Sequence, residues 1–287
     1  MPNPKHLVLA ILLTTTLAAQ STQNPSPMVE HTRSHPRLTK TEPAGTRTPL
    51  SLGTLFIPAK LAHKHTAHLL IFFLAPDWLG QLAASQQPNL AIITVNAGAG
   101  SSNYSKLFED PTRFLKLIDE AQSTSHLTFT DIAIGGFSAG CGALRQILAD
   151  PASYARVHRV LCMDGVHAGY NPDPPDRSNP QLVPENLVPW LHFGRDAIAG
   201  TKRLVITHTE IFPGTYASTT ETADELLHEW NLTPHAVARF GPTGTQMLSE
   251  TKDHGLLVVG FAGNSAPDHI DQIQSLPTFL KWLAKDE

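Results

Sequence analysis

The feature that most constrains the fold is a series of short apolar runs separated by helical patterns. Six runs are apolar at most positions, which predicts strands covered on both faces of a sheet. These runs are residues 69–74, 90–95, 129–134, 160–163, 204–207 and 256–261. Residues 50–57 and 235–240 are further strand candidates.

Helical patterns occupy the intervals between these runs. Helices are predicted at 111–121, 138–149, 218–230 and 269–283. Ser218 and Glu221 have capping-box spacing, and Pro277 predicts a kink or a restart in the last helix. The alternation predicts an α/β fold with a mostly parallel central sheet and helices on both faces.

The N-terminal part of the chain differs in composition from the rest. Lys5 is followed by a largely apolar stretch, residues 7–17, and then by small residues, an order typical of a secretory signal peptide. We therefore predict a signal peptide over 1–20 and a secreted or periplasmic protein. Residues 21–48 are rich in Pro, Ser, Thr and charge, which predicts a flexible tail before a folded domain over 49–287.

Residues 165–200 interrupt the alternation of strands and helices. The first half is rich in turn residues, and the second half has a helical pattern. An insertion here would lie over the carboxyl ends of the strands. It could form a lid or a substrate wall, or it could be an ordinary surface loop.

Charge and cysteine content exclude several classes of protein. The chain has 21 Lys and Arg against 25 Asp and Glu, a net charge of −4 with neutral His, which excludes a nucleic-acid binder that relies on bulk positive charge. Two cysteines exclude a disulfide-dense scaffold. Whether Cys141 and Cys162 pair is open, and two buried free thiols are the favoured interpretation.

Two patterns match ligand-binding motifs only in part. His63, His65 and His68 lack the spacing of a zinc site, and Lys64 would oppose a cation. The glycine-rich residues 96–102 follow a strand but do not complete G-x-G-x-x-G. We expect neither a metal nor an organic cofactor.

The strongest chemical motif is Gly136-Phe137-Ser138-Ala139-Gly140, a G-x-S-x-G sequence between a predicted strand and a predicted helix. A serine on such a sharp turn requires very small residues two positions before and after it, because larger side chains would clash. The turn also directs the Ala139 amide towards the place where an oxyanion would form.

On these residues and on its strand order, the chain resembles the α/β-hydrolase fold family over about residues 49–283. The resemblance implies a Ser–acid–His triad in that chain order and usually ester hydrolysis. It also implies that the histidine follows the last strand. His269 meets that requirement, and His254, which precedes residues 256–261, is the alternative base.

Two carboxylates are candidates for the acid. Asp164 directly follows the predicted strand 160–163, and Glu210 follows the strand 204–207, the position that the family most often uses. We favour Asp164, because a short side chain at a strand end costs less conformational entropy to hold in place. Glu210 is the alternative acid.

The oxyanion site is the least family-like part of the sequence. The family often has His-Gly after its third strand, where this chain has Leu74-Ala75-Pro76-Asp77-Trp78. Pro76 has no amide hydrogen. The second donor, beside Ala139, would therefore be Ala75, Asp77 or Trp78.

The sequence thus predicts a serine hydrolase that cleaves small-molecule esters of short or medium acyl chains through Ser138, His269 and Asp164. The alternatives are a peptidase or amidase with the same triad and a non-catalytic binding protein on this scaffold. We expect no partner nucleic acid and no stable membrane insertion after signal removal. The sequence does not predict the oligomeric state.

Overall fold

The computed structural model describes residues 34–172 and 181–284, so the predicted signal peptide at 1–20 lies outside the described residues. The strands are β1 Gly45–Pro49, β2 Thr54–Pro58, β3 Thr66–Phe73, β4 Leu90–Val95, β5 Thr128–Phe137, β6 Arg159–Met163, β7 Arg203–Thr209, β8 His235–Phe240, β9 Gln246–Asp253 and β10 Leu256–Phe261. The α-helices are α1 Asp77–Ser85, α2 Ser101–Ser105, α3 Thr112–Ser125, α4 Cys141–Ala149, α5 Pro151–Arg156, α6 Val188–Ile198, α7 Thr219–Glu229, α8 Ala266–Gln274 and α9 Leu276–Ala284.

The strands of the described residues form one sheet in the order β1-β2-β4-β3-β5-β6-β7-β10-β9-β8. The six central strands, from β4 to β10 in this order, pair in parallel, and the two strands at each edge are antiparallel. The carboxyl ends of the central strands therefore meet at one edge of the sheet. The predicted fold class is confirmed.

Apolar side chains of the central strands divide between two core layers, one on each face of the sheet. In β3, Leu69 and Ile71 pack in one layer, and Leu70 and Phe72 pack in the other. The first layer is completed by α3, α4, α6 and α7, and the second by α1, α8 and α9. Burial on both faces is the reason that the central strands are continuous apolar runs in the sequence.

Strand β1 begins before residue 49, which corrects the predicted flexible tail over 21–48 for its described part, residues 34–48; residues 21–33 lie outside the described residues. The predicted strand at 50–57 is instead a hairpin, in which β1 pairs with β2 and the Leu50 amide donates to the Gly53 carbonyl at 3.0 Å. The tail also contacts α8, because Arg37 pairs with the buried Asp271 carboxylate. The segment resembles a linker in sequence because its side chains are polar, and the distant residues that pair with them cannot be seen from the sequence alone.

Each predicted helix is present, but several helix bounds differ from the prediction. Ser218 and Glu221 form the expected capping box at the start of α7. The last predicted helix is two helices, α8 and α9, and Pro277 lies in the first turn of α9, where its missing amide hydrogen costs nothing. Strand β9 was not predicted, because its sequence is mostly polar.

The segment at 165–200 is not one lid. Its second half is α6, which packs Trp190 and Phe193 into the core layer beside the sheet. Before α6, Tyr170 and Leu182 form an isolated antiparallel bridge. Residues 173–180 lie outside the described residues. No helix of the described chain has the length and apolar character needed to cross a membrane.

Candidate active site

Ser138 lies on the turn between β5 and α4 and has a backbone φ of +49°, in the left-handed region that non-glycine residues rarely adopt. The neighbouring glycines make this turn sterically feasible. A Cβ on Gly136 would lie 2.9 Å from the carbonyl carbon of Gly140, and a Cβ on Gly140 would overlap the Phe73 carbonyl oxygen in β3. The predicted strand–turn–helix context of Ser138 is therefore present, with the strain expected at a functional turn.

Asp164 directly follows β6 and is 2% exposed. Its Oδ1 accepts from the Thr209 amide at 3.0 Å and from the Thr219 hydroxyl, and its Oδ2 accepts from the Thr209 hydroxyl at 2.7 Å. Burial alone would raise the pKa of Asp164, but the hydrogen bonds from His269, Thr219 and Thr209 hold that pKa below its ordinary value. The carboxylate is therefore ionised and fixed in place.

His269 lies in α8, one turn after its Ser265 N-cap, rather than in the loop that the sequence suggested. Its Nδ1 lies 2.6 Å from Asp164 Oδ2. Because an ionised carboxylate only accepts hydrogen bonds, His269 Nδ1 carries the proton and Nε2 is the acceptor nitrogen. The ring also packs on Phe137, with centroids 4.5 Å apart.

Two cavities meet at Ser138. The smaller, about 210 Å³, is also lined by Asp164, His269, Ile211 and Thr219. The larger, about 700 Å³, is lined by Ala139, Leu74, Arg145, Asn186 and the loop at 98–101. His167 and Tyr216 line both cavities. Among the hydrogen bonds of the described residues, none joins Ser138 to His269, and such catalytic contacts commonly tighten only in the substrate complex.

The second oxyanion donor, beside Ala139, stays a prediction. Asp77 begins α1 with its carboxylate accepting from the Thr94 hydroxyl at 2.7 Å, and Trp78 packs against the core layer of α1. Ala75 follows Leu74, whose φ is +64°, and the Ala75 amide makes no hydrogen bond among the described residues. None of these three residues lines either cavity, so the cavity walls do not choose among them.

The alternative acid and the alternative base lie elsewhere. Glu210 accepts from the Gly263 amide at 3.1 Å and braces the loop after β7. His254 lies in the turn between β9 and β10, at the amino end of the parallel strands, and its Nδ1 contacts Asp253 at 2.7 Å. Because the central strands are parallel, His254, which precedes β10, and Ser138, which follows β5, lie at opposite ends of the strands.

Sequence reasoning did not identify His167 and Tyr216, which line both cavities. His167 is a partly buried ring whose Nδ1 makes no hydrogen bond among the described residues, and it packs edge-on to Tyr216 with centroids 5.7 Å apart. Burial lowers the pKa of His167, and the nearby Arg145 guanidinium lowers it further. The sequence pointed to His167 only through its place in a turn directly after a strand, Asp164-Gly165-Val166-His167.

The two cysteines are buried free thiols directly behind the serine turn. The Cys162 thiol donates to Cys141 Sγ at 2.9 Å, and the Cys141 thiol donates to the Gly136 carbonyl at 3.2 Å. Burial raises the pKa of Cys162 well above its ordinary value. The Cys162 thiol is therefore a poor nucleophile here.

One buried group of potential metal ligands consists of His35, Asp268 and Asp271. Its carboxylates already have partners: Arg37 pairs with Asp271, and Asp268 accepts from the Ser265 hydroxyl at 2.6 Å as a helix cap. A cation there would compete with the Arg37 guanidinium. His68, from the histidine-rich stretch, lies in β3 and faces Asp131 at 3.8 Å.

No family model matches the sequence, and no curated protein matches it. Several solved structures are similar in fold. Est1E from Butyrivibrio proteoclasticus is 10% identical, with 84% of this chain and 100% of that chain covered and a TM-score of 0.42. Acetyl xylan esterase from Aspergillus awamori is 13% identical, with 79% and 93% covered and a TM-score of 0.45.

A third similar structure, the carboxylesterase CesB from Bacillus subtilis, is 10% identical, with 85% of this chain and 92% of that chain covered and a TM-score of 0.46. The strand order and the serine turn described above give this chain the α/β-hydrolase fold. At such low identities and TM-scores, its activity is argued from its own site alone.

Proposed function

We propose that this protein is a serine hydrolase that cleaves carboxylic esters of short or medium acyl chains. One observation carries the proposal. Ser138, on a left-handed turn, shares a cavity with His269, and His269 Nδ1 is held at 2.6 Å by the buried Asp164 carboxylate. This arrangement provides a nucleophile, a base and an orienting acid from three separate segments of the chain.

In the proposed reaction, Ser138 Oγ attacks the ester carbonyl while His269 Nε2 takes the hydroxyl proton. The amides of Ala139 and Ala75 stabilise the oxyanion of the tetrahedral intermediate. His269 then protonates the leaving alcohol, which departs and leaves an acyl-serine. Water attacks the acyl-serine by the same steps, which releases the acid and restores Ser138. Asp164 keeps the proton on Nδ1 and stabilises the imidazolium throughout.

The lining of the larger cavity supports short or medium acyl groups. Leu74 and Tyr216 are its largest apolar side chains, and glycine, serine, asparagine and arginine occupy much of the remaining wall. A long alkyl chain would gain little burial against such a surface. Among p-nitrophenyl esters from acetate to palmitate, we expect the highest kcat/KM below about ten carbons.

A covalent probe tests the proposal. A fluorophosphonate should label the wild-type protein at Ser138 and should fail to label Ser138→Ala, with Ser101→Ala, at the rim of the larger cavity, as the matched serine control. Faster cleavage of an aminoacyl anilide than of any ester would favour an amidase. Absence of labelling in a correctly folded wild type would favour a non-catalytic binding protein.

Export is a separate proposal that rests on the N-terminal sequence alone. Residues 1–20 combine a basic start, an apolar stretch and small residues. N-terminal sequencing of the protein recovered from the medium or periplasm should begin after about residue 20. An intact Met1 on the mature protein would contradict it.

A further inference from the structure

The larger cavity contains a positive charge that has no partner in the part of the chain that the structure describes. Arg145 lies on α4, seven residues after Ser138, and lines this cavity. Among the described residues, three arginines are partly buried: Arg145, Arg159 and Arg203. Arg159 pairs with Asp131 at 2.7 Å, and Arg203 donates twice to the Trp282 carbonyl. Arg145 makes no hydrogen bond, ion pair or ring contact among the described residues.

An unpaired guanidinium in this position is costly to the folded state. Partial burial removes water from the charge, and this desolvation lowers the pKa of Arg145. Partly buried arginines are normally paired with carboxylates or carbonyls, because their five donors lose their water partners. A stabilising role therefore does not account for Arg145, whereas a ligand that completes its hydrogen bonds does.

The rest of the cavity wall favours an anion. No carboxylate is among the described residues that line it. The other ionisable ring at the wall is His167, whose pKa is lowered by burial, so it stays neutral near neutral pH and does not compete as a cation. Arg145 is thus the cation of a cavity that opens directly onto Ser138.

The position of His269 indicates which part of an ester faces Arg145. His269, which would protonate the leaving alcohol, lines the smaller cavity and not the larger one. The alcohol therefore belongs in the smaller cavity. The acyl group extends from Ser138 into the larger cavity, past Ala139 and towards Arg145.

We propose that Arg145 binds a carboxylate at the far end of the acyl group, so that the preferred substrates are half-esters of dicarboxylic acids. This inference rests on the proposed ester hydrolase function and specifies its substrate class. A 3-10 turn, Ser138–Gly140, and the first residues of α4 separate the Cα atoms of Ser138 and Arg145 by roughly 10 Å, so we expect several methylene groups between the ester carbonyl and the free carboxylate.

Matched ester pairs test the inference. Monoethyl succinate, adipate and suberate are compared with ethyl butanoate, hexanoate and octanoate, which have the same acyl lengths without the charge. Ethanol release gives kcat/KM for each ester. We expect the wild type to prefer the charged member by about 10–100-fold at the best length, the usual contribution of a hydrogen bond to a charged group.

Substitutions then assign the preference to one side chain. Arg145→Gln should lower the charged-to-neutral ratio of kcat/KM by about 10–100-fold, and Arg145→Lys should restore part of it, because ammonium keeps the charge but loses the planar fork. Arg195→Gln, an exposed arginine on α6, should leave the ratio unchanged. An unchanged ratio in Arg145→Gln, or an equal loss for both esters, would overturn the inference.

A binding measurement separates this inference from the proposed function. Calorimetric titration of Ser138→Ala with adipate should show binding that Arg145→Gln in the same background weakens about tenfold or more. If no ester is cleaved but this binding is present, the ester hydrolase function fails and the anion site stands. If esters are cleaved but adipate does not bind, the anion site fails and the hydrolase function stands.

Discussion

The two ends of the central sheet contain similar residues but differ in how those residues are held. At the amino end, a cavity of about 680 Å³ is lined by His68, Asp131, His158, Arg159 and His254 among others, and at the carboxyl end the cavity beside Ser138 measures about 700 Å³. Both cavities therefore offer histidine and arginine around a comparable space. Cavity size and residue type alone do not distinguish them.

The difference lies in the pairing of the charged groups. At the amino end, Asp131 pairs with Arg159, and His158 Nδ1 accepts from the Ile132 amide at 3.2 Å, so the fold already uses these groups. A left-handed φ does not separate the two ends, because His254 at the amino end has a φ of +44°, close to the +49° of Ser138. At the carboxyl end, Arg145 makes no hydrogen bond or ion pair among the described residues, so ligand binding rather than folding accounts for its position.

The comparison predicts opposite results for two histidines, one at each end. His269→Gln should lower kcat for ester hydrolysis by about a million-fold, because Ser138 loses its base. His254→Gln, at the amino end, should leave kcat unchanged. Steady-state kinetics on one p-nitrophenyl ester is the measurement. A comparable loss of kcat in both variants would contradict the assignment of the reaction to the carboxyl end of the sheet.

The two aspartates give the next largest contrast. Asp164→Asn should lower kcat by about ten-thousand-fold, because an amide no longer fixes the proton on His269 Nδ1. Asp131→Asn should instead lower the free energy of unfolding by about 1–3 kcal/mol through the loss of the charged bond to Arg159, with kcat retained. Kinetics and urea unfolding of both variants check this; a stable and fully active Asp164→Asn would refute the role of Asp164.

Glycines at the carboxyl end test the strain itself. Gly140→Ala places a methyl group against the Phe73 carbonyl and should reduce the free energy of unfolding by about 3 kcal/mol. Gly169→Ala, at the wall of the larger cavity, meets nothing nearer than 3.7 Å and should change stability by less than about 0.5 kcal/mol. Equal melting temperatures for the two variants would show that the turn is not tightly packed.

The smallest expected effect is a pH dependence from His208, behind the site. Burial lowers the pKa of His208 to about 4. Since the unfolded chain binds this proton near 6.5, stability is fully present above pH 6.5 and is lost as the pH falls towards 4. Between pH 8 and pH 5 the loss is about 2 kcal/mol.

Urea unfolding at several pH values measures this slope. His208→Gln should remove most of the loss, relative to its own stability at pH 8. His63→Gln, an exposed histidine before β3, is the matched control and should keep the wild-type slope. A wild-type slope in His208→Gln would show that other groups cause the acid sensitivity.

Local sequence accounts for most of the fold and for the serine turn. The apolar runs of β3 to β7 and β10 are buried on both faces, so their pattern is visible without a structure. Strand β9 was not predicted, because its sequence is mostly polar and it is held in the sheet by its cross-strand neighbours. The β1–β2 hairpin was predicted as one strand, since the turn at Gly53 relies on a positive φ that the pattern does not reveal.

The sequence by itself determined the strand–helix alternation and the serine on its glycine-lined turn, because both depend on residues within a few positions of one another. Only the tertiary structure decided that Asp164 rather than Glu210 meets His269, since that contact joins residues 105 positions apart. The tertiary structure alone also revealed that Arg145 has no partner among residues 34–172 and 181–284. Pairing across the sheet depends on strand order, which places distant residues together and cannot be read from local spacing.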